Sequence, residues 1–371
     1  MDQAFVESAN VRLYRDSGHW VFQYPALQNS SGITAYLIAG IYKLLIPTDS
    51  NNLNWHFRIL SMLMYLGSSF FLIKAFVEDR WTRLLLFIII ITSGYQSIQP
   101  SSELIAGSLL AMTFIALRNS WPLALAAFFL ATFGLCKVEL VMGAVAAAIF
   151  WAILGGGKDE PKTWRFLPYT LGWMALLLIP GFVVQGGSPL AGNRSYLAFI
   201  ATYVELFGPH QFVGNSNIAI DKSVEMVRKN ILGTSESVLA IALQHPMLYA
   251  DFLALQTVKS LIGTAQGLKF ISIPFLLVIA RLRALRIIRP YIIMILVVAI
   301  LTLGPAWLLA YIRLRYWVKL FPVVLVLTAW GCLLLGKNRK VPNQLFWICG
   351  IGTILWQLSM LSGIWRNSHF Y

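Results

Sequence analysis

The acidic residue Glu103 stands at the start of a long apolar run. The chain has only 15 acidic residues among 371, so their placement is informative. Glu103 follows the sequence QPSS at 99–102, and a serine followed by an acid is typical of a helix start, where the helix dipole favours a carboxylate. A carboxylate at the edge of a lipid-embedded run that faces a cavity can instead take part in catalysis. The residues alone leave the capping role and the catalytic role open.

A second pair of charges, Lys137 and Glu139, separates the apolar runs LAAFFLATFGLC and LVMGAVAAAIFW. A bare charge in the middle of a bilayer costs about 2.5–3.5 kcal/mol on insertion scales, and less near an interface. One interpretation is a turn whose side chains reach the lipid headgroups. The other is a cation and an anion that line the same cavity as Glu103.

Three basic residues, Arg313, Arg315 and Lys319, alternate with aromatic residues in YIRLRYWVKLFP. Arginine offers a planar fork of donors that suits phosphate, and lysine offers a compact positive charge. The stretch therefore predicts either a phosphate-bearing ligand or contact with lipid headgroups alone.

The acidic residue nearest the start of the sequence is Asp2, within MDQAFVESANVRLYRDSGHW. A carboxylate activates a hydroxyl group by taking its proton, so Asp2 is a candidate general base. A solvated acid is the more frequent explanation for such a residue, and the sequence leaves both open.

The composition identifies the solvent of these residues. Hydrophobic residues make up 58% of the chain and charged residues 12%, whereas soluble domains carry about 25% charged residues. This excludes a cytosolic enzyme and a disordered chain, and it predicts an integral membrane protein. The net charge of +14 is attributed to cytoplasmic loops and not to nucleic-acid binding. The three cysteines lack metal-ligand spacing, so buried free thiols are expected.

The apolar runs predict an all-α polytopic membrane protein with about ten transmembrane helices, because backbone groups in hydrocarbon must be satisfied within each segment. The predicted segments are 57–77, 83–98, 104–117, 121–136, 138–154, 166–184, 269–280, 291–309, 320–336 and 345–363.

Basic residues fall on alternate turns between these segments and predict the cytoplasmic side. They are Arg80, Arg83, Arg118, Lys158, Lys162, Arg165, Arg281, Arg283, Arg286, Arg289, Lys337, Arg339 and Lys340. Four regions follow: an outer loop at 1–56 with an interfacial helix at 33–46, an N-terminal bundle at 57–184, an extracytoplasmic segment at 185–268, and C-terminal helices at 269–371. Because residues 1–56 must reach the outer face, we expect a further transmembrane helix upstream of Met1.

Several motifs in this order resemble membrane glycosyltransferases of the GT-C superfamily. They are DQAFVESANVRLYRDSGHWVFQYPALQNSSGITAYLIAGIYKLL, HFRILSMLMYLGSSFFL, QPSSELIAG, GLCKVEL and RLRYWVKLFPVVLVL. The sequence is most similar to the branch that contains protein mannosyltransferases and aminoarabinose transferases. The resemblance extends over residues 1–155 and, more loosely, 310–330.

The resemblance implies a GT-C-like helical bundle in the plasma (bacterial inner) membrane with an active site on the extracytoplasmic side. Asp2 matches the catalytic acid of the first loop and Glu103 the second acidic position. Lys137 matches a basic residue near the cavity, and Arg313 or Arg315 matches a contact to the donor phosphate. Glu139, beside Lys137, and Lys319, in the same basic stretch as the two arginines, are further candidates for substrate binding. Gln3 departs from the pattern, because the first acid is often followed by a second.

The implied partners are a polyprenyl-phosphate sugar donor, a lipid, glycan or protein acceptor, and membrane lipids. No cofactor is expected, although the sequence does not decide whether a divalent metal takes part. The chain has no Walker motif or dinucleotide-binding turn, and a lipid-linked donor requires neither. A polysaccharide flippase, polymerase or ligase-type protein is the alternative.

Overall fold

The described part of the protein is built from helices. The computed structural model describes residues 50–93, 101–136, 138–155, 163–185, 238–309, 314–337 and 340–367, together with positions 199, 202, 203 and 206. Every regular element in these ranges is helical, which confirms the predicted all-α class. The predicted interfacial helix at 33–46 lies outside the described residues.

The described part of each of the ten predicted segments overlaps one of the helices. In chain order these are α1 Ser50–Phe76, α2 Arg80–Thr92, α3 Ser101–Arg118, α4 Leu123–Gly134, α5 Val138–Leu154, α6 Phe166–Gln185, α7 Val238–Gln244, α8 Pro246–Leu268, α9 Ser272–Ala280, α10 Arg289–Leu309, α11 Leu314–Val318, α12 Phe321–Gly336 and α13 Val341–Asn367.

Two stretches are long and apolar enough to cross a membrane by length and composition, Arg58–Phe76 and Pro246–Ala280. Shorter apolar helices of 10–17 residues cover Leu123–Gly134, Leu140–Leu154, Arg289–Gly304 and Phe321–Gly336. Large apolar side chains are exposed on many of these helices, whereas a soluble protein rarely exposes large contiguous apolar patches.

The apolar stretch Pro246–Ala280 begins earlier than the sequence indicated, since 269–280 was predicted as the crossing segment and the preceding residues as part of an outer segment. Polar residues such as Gln256 and Ser260 dilute the hydropathy of α8, but they lie on its buried face. The exposed face carries apolar residues such as Val258 and Leu261. This arrangement, polar inside and apolar outside, is opposite to that of a soluble amphipathic helix.

Helices α1, α3 and α12 run in parallel, and contacts at two levels fix their register. At one level Tyr65 of α1 lies against Gly107 of α3 and close to Lys319, just before α12. At the other, the Arg118 guanidinium of α3 lies 4.7 Å from the Trp330 ring centroid of α12 and 5.8 Å from that of Phe76 in α1.

The same number of residues separates the two levels in all three helices. The two residues of each pair are eleven positions apart in the sequence: Tyr65 and Phe76, Gly107 and Arg118, Lys319 and Trp330. At 1.5 Å per residue the two levels are about 16 Å apart. We name them the Glu103 end and the Arg118 end.

The neighbouring helices follow the predicted alternation of direction. Helix α10 is antiparallel to α5, because Thr302 lies near Gly143 while the Tyr291 and Trp151 rings are 5.0 Å apart. Tyr291 also contacts Trp330, so α10 starts at the Arg118 end and finishes at the Glu103 end.

The connection from α1 to α2 is a tight turn at the Arg118 end. Asp79 caps α2 by accepting a hydrogen bond of 2.7 Å from the Thr82 N–H, and its other bond comes from the Thr82 hydroxyl. These two bonds hold the pKa of Asp79 below its usual range, and the cap ends α1 so that α2 can return alongside it.

Candidate functional site

An ion pair at the Glu103 end joins two of the residues that the sequence singled out. The Nζ atom of Lys319 lies 3.2 Å from Oε2 of Glu103, and the exposed fraction of each side chain is 0%. The two residues are 216 positions apart in the chain. The contact therefore joins the start of α3 to the residue that follows α11, shortly before α12.

The local sequence places both charges at helix boundaries. Helix α3 begins at Ser101, as the Ser-Ser-Glu pattern predicts, so Glu103 lies in its first turn. Lys319 directly follows the short helix α11, so it lies at the end of that helix and just before α12. The ammonium group also lies 5.3 Å from the centroid of the Tyr316 ring, within the range of a cation–π contact.

A tyrosine of α1 fixes the backbone beside the lysine. The Tyr65 hydroxyl donates a hydrogen bond of 3.0 Å to the carbonyl oxygen of Val318, and the side chain is fully buried. A tyrosine with a buried ring and a satisfied hydroxyl holds a single orientation well. Tyr65 thereby ties α1 to the segment that carries Lys319.

Gly107 leaves the space that this arrangement needs. It lies one helical turn after Glu103, and a Cβ atom at this position would come within 2.9 Å of Tyr65 Cε2 and 3.2 Å of Lys319 Cα. Any side chain would therefore displace either the tyrosine ring or the backbone of the lysine. Tyr65, Gly107 and Lys319 therefore pack against one another as one unit.

Burial decides what the pair can do chemically. Two charges removed from water each carry a large desolvation cost, which their attraction offsets only while both are present. Removing one partner of a buried pair costs about 3–5 kcal/mol. A ligand that binds either group must first separate the two, so access of a ligand and opening of the pair are coupled.

The remaining candidate residues are described only in part or not at all. Glu139 lies in the first turn of α5 and Arg315 within α11, and nothing is described of their side chains. Asp2, Lys137 and Arg313 lie outside the described residues. The described residues thus bring Glu103 and Lys319 together, and they leave the roles expected of the other five candidates untested.

Sequence reasoning missed the two residues that hold the pair in place. Gly107 carried a usable signal, because a glycine one turn after a candidate carboxylate marks a close approach of another segment. Tyr65 carried a weaker one, since a tyrosine inside an apolar helix needs a partner for its hydroxyl. Neither signal could identify the partner, which lies in a distant part of the sequence.

Aromatic residues of the predicted outer segment pack together at the same end of the bundle. The ring centroids of Phe199 and Phe252 are 4.5 Å apart, and Tyr203 and Tyr249 complete the cluster. The Tyr249 hydroxyl donates to the carbonyl oxygen of Leu308 at the end of α10. Burial raises the pKa of Tyr203, and Asp251 adds to the shift.

Comparisons with known proteins give no relative for this chain. No protein-family model, no curated protein and no solved structure matches it. Among the described residues, no group of three or more His, Cys, Asp or Glu side chains could hold a metal ion.

We predict that replacing Gly107 with alanine destabilises the protein, whereas replacing Gly67 does not. An added methyl group at Gly107 overlaps Tyr65 and the Lys319 backbone, and overpacking of this kind costs about 1–3 kcal/mol. A Cβ at Gly67 in α1 meets nothing within 4 Å, so Gly67→Ala should be neutral or stabilising. Thermal unfolding of both variants in detergent measures the difference. Equal melting temperatures would contradict the close packing at Gly107.

Proposed function

We propose that this protein is an integral membrane glycosyltransferase that moves a sugar from a polyprenyl-phosphate donor to an acceptor on the extracytoplasmic face. The observation that carries the proposal is the contact between Glu103 and Lys319. Glu103 matches the second acidic position of the GT-C pattern, and Lys319 belongs to the late basic stretch assigned to the donor phosphate. Two motifs with roles in one reaction are thus in contact.

The surroundings of the pair support a location in the membrane. The two long apolar stretches, the shorter apolar helices and the exposed apolar side chains are consistent with a polytopic bundle of about ten helices. Helices of 12–17 residues can span where the bilayer thins around them. The Arg118 end carries the basic loops, so the positive-inside rule assigns it to the cytoplasm and the Glu103 end to the outer face.

The proposed chemistry assigns opposite tasks to the two charges. Glu103 orients the acceptor hydroxyl or takes its proton while the hydroxyl oxygen bonds to the anomeric carbon of the sugar. The bond from that carbon to the phosphate oxygen breaks, and its electrons remain on the polyprenyl phosphate. Lys319, with Arg313 or Arg315, stabilises this growing negative charge. Asp2 is the further acid that the resemblance adds.

The closed pair suggests how donor binding prepares the carboxylate. A donor phosphate that attracts the Lys319 ammonium weakens its contact with Glu103. The carboxylate then becomes available to the acceptor only when a donor is present. In this scheme the pair protects both charges in the empty enzyme, and no nucleotide is required.

The complete burial of the pair also favours a second candidate. With both side chains at 0% exposure, Glu103 and Lys319 could serve only to tie α3 to the start of α12. The protein would then be a polysaccharide flippase, polymerase or ligase-type membrane protein without this transferase activity. Transfer assays separate the two, because a structural tie affects stability without any specific effect on turnover.

We predict that Glu103→Gln and Arg315→Ala each reduce sugar transfer by about 100-fold or more, in line with the loss of a general base or of charge stabilisation. Transfer is measured in membranes supplied with a radiolabelled polyprenyl-phosphate sugar pool, with the amount of folded protein determined for each variant. Glu78→Gln and Arg283→Ala serve as matched controls, because both residues are exposed and away from the Glu103 end.

The outcomes of this assay are distinct. Loss in the two site variants with normal transfer in both controls supports the transferase. Robust transfer in all four variants would contradict the assignment of the site. Absence of transfer by the unaltered protein with any donor would favour the second candidate.

We also predict that the two ends of the bundle lie on opposite sides of the membrane. Cysteines introduced at Asn119, beside Arg118, and at Leu243, in α7, are both placed at exposed positions, while the native cysteines are buried. A membrane-impermeant maleimide added to intact cells should label Leu243→Cys alone. Asn119→Cys should react only after the membrane is opened. Labelling of both from the same side would contradict the topology.

A further inference from the structure

Lys269 adopts a backbone conformation that lysine rarely takes. Its φ angle is 55°, and among the described residues Ser120 is the other non-glycine residue with positive φ. Ser120 lies in an exposed turn, whereas Lys269 lies at the junction of α8 and α9 between two apolar helices. Glycine or asparagine is the usual residue at such a position. Positive φ at a lysine is strained, so the surroundings of this side chain are of interest.

The ammonium group of Lys269 is directed across to α13. Its Nζ atom lies 5.3 Å from the centroid of the Trp356 ring, which places the cation within reach of the ring face. One residue further on, the Phe270 ring lies against Gly352, where an added Cβ would be 3.4 Å from Phe270 Cδ2. Lys269 and Trp356 therefore lie together near the start of α9, where this helix contacts α13.

An exposed apolar surface extends from this point along both helices. The exposed fractions of Phe270, just before α9, and of Ile273 and Leu276 on α9 are 46%, 50% and 63%. On α13, Ile351 and Leu355 are exposed by 49% and 63%. Their spacing of three or four residues keeps them on one face of each helix. The result is an apolar track with a cation at one end.

The track has a defined direction relative to the basic loops. Helix α9 ends at Ala280 and is followed by Arg281, Arg283 and Arg286, so Lys269 lies at the opposite end of the helix. A membrane lipid places an anionic headgroup at the end of a hydrocarbon chain. Its charge complements Lys269, and its chain complements the track below.

We infer that Lys269 and Trp356 form a binding site for the phosphate group of a membrane lipid, with one hydrocarbon chain lying along the α9–α13 track. The phosphate accepts a charge-assisted hydrogen bond from the Lys269 ammonium, and the Trp356 ring holds that ammonium in place. The inference does not rest on the proposed transferase activity. Measurements of lipid binding alone test it.

Equilibrium binding of radiolabelled dioleoyl phosphatidic acid to the full chain in detergent tests the site. We expect Lys269→Gly and Lys269→Gln to weaken binding by about tenfold or more, because each removes a charge-assisted contact. Trp356→Leu should weaken it by a smaller factor. Lys259→Gln on α8 is the matched control and should bind within twofold of the unaltered protein.

The glycine variant separates binding from stability. Glycine adopts positive φ without strain, so Lys269→Gly should unfold at the same temperature as the unaltered protein or at a higher one while binding less lipid. A lysine with only a structural role would not give this combination.

Three results would overturn the inference. The first is undiminished binding of phosphatidic acid by Lys269→Gly, and the second is an equal loss in Lys259→Gln, which would indicate a general charge effect. The third concerns the ligand: dioleoylglycerol, with the same chains and no phosphate, should not compete, and inorganic phosphate at equal concentration should not displace the lipid. Equal competition by either would contradict a lipid phosphate site.

Discussion

The buried ion pair between Glu103 and Lys319 is the constraint on which the rest of the structure depends. An apolar bundle tolerates two such charges only if each remains within reach of the other, so the segments that carry them must be held in fixed register. Tyr65 provides one restraint through its hydrogen bond to the Val318 carbonyl. Gly107 permits the close approach of the segments. At the other end of the bundle, Arg118 stacks on Trp330 and fixes α3 relative to α12.

The distribution of polarity within the helices fits this requirement. Several buried positions carry polar residues, among them Gln357, which accepts a hydrogen bond of 2.6 Å from the Thr92 hydroxyl. Large apolar residues, such as Leu63 and Leu355, are 63% exposed instead. In water this arrangement would be unfavourable, because apolar surface contacts solvent while polar groups are buried. In lipid the same arrangement is favourable. The exposed apolar surface and the buried ion pair are therefore both consistent with a membrane environment.

The helices were predictable from sequence to a greater extent than the site. Apolar runs of sufficient length identify helices locally, so the predicted segments fall on helices in the structure. Helix α8 belongs to the stretch assigned to the outer segment, because Gln256 and Ser260 lower its hydropathy, although both face inward. The site depends on a contact between residues 216 positions apart. The local patterns of a single sequence do not show which distant residues are in contact. Charge placement identified Glu103 and Lys319 as candidates, but their pairing required the fold.

The most direct test of this account is the coupling free energy between Glu103 and Lys319, measured by thermodynamic cycle with Glu103→Leu, Lys319→Met and the double variant. Each single substitution leaves a buried charge without its partner and should cost about 3–5 kcal/mol of unfolding free energy. The double substitution removes both charges and should cost far less than the sum. Additive losses, with a coupling within about 0.5 kcal/mol, would contradict the pair and the site built on it.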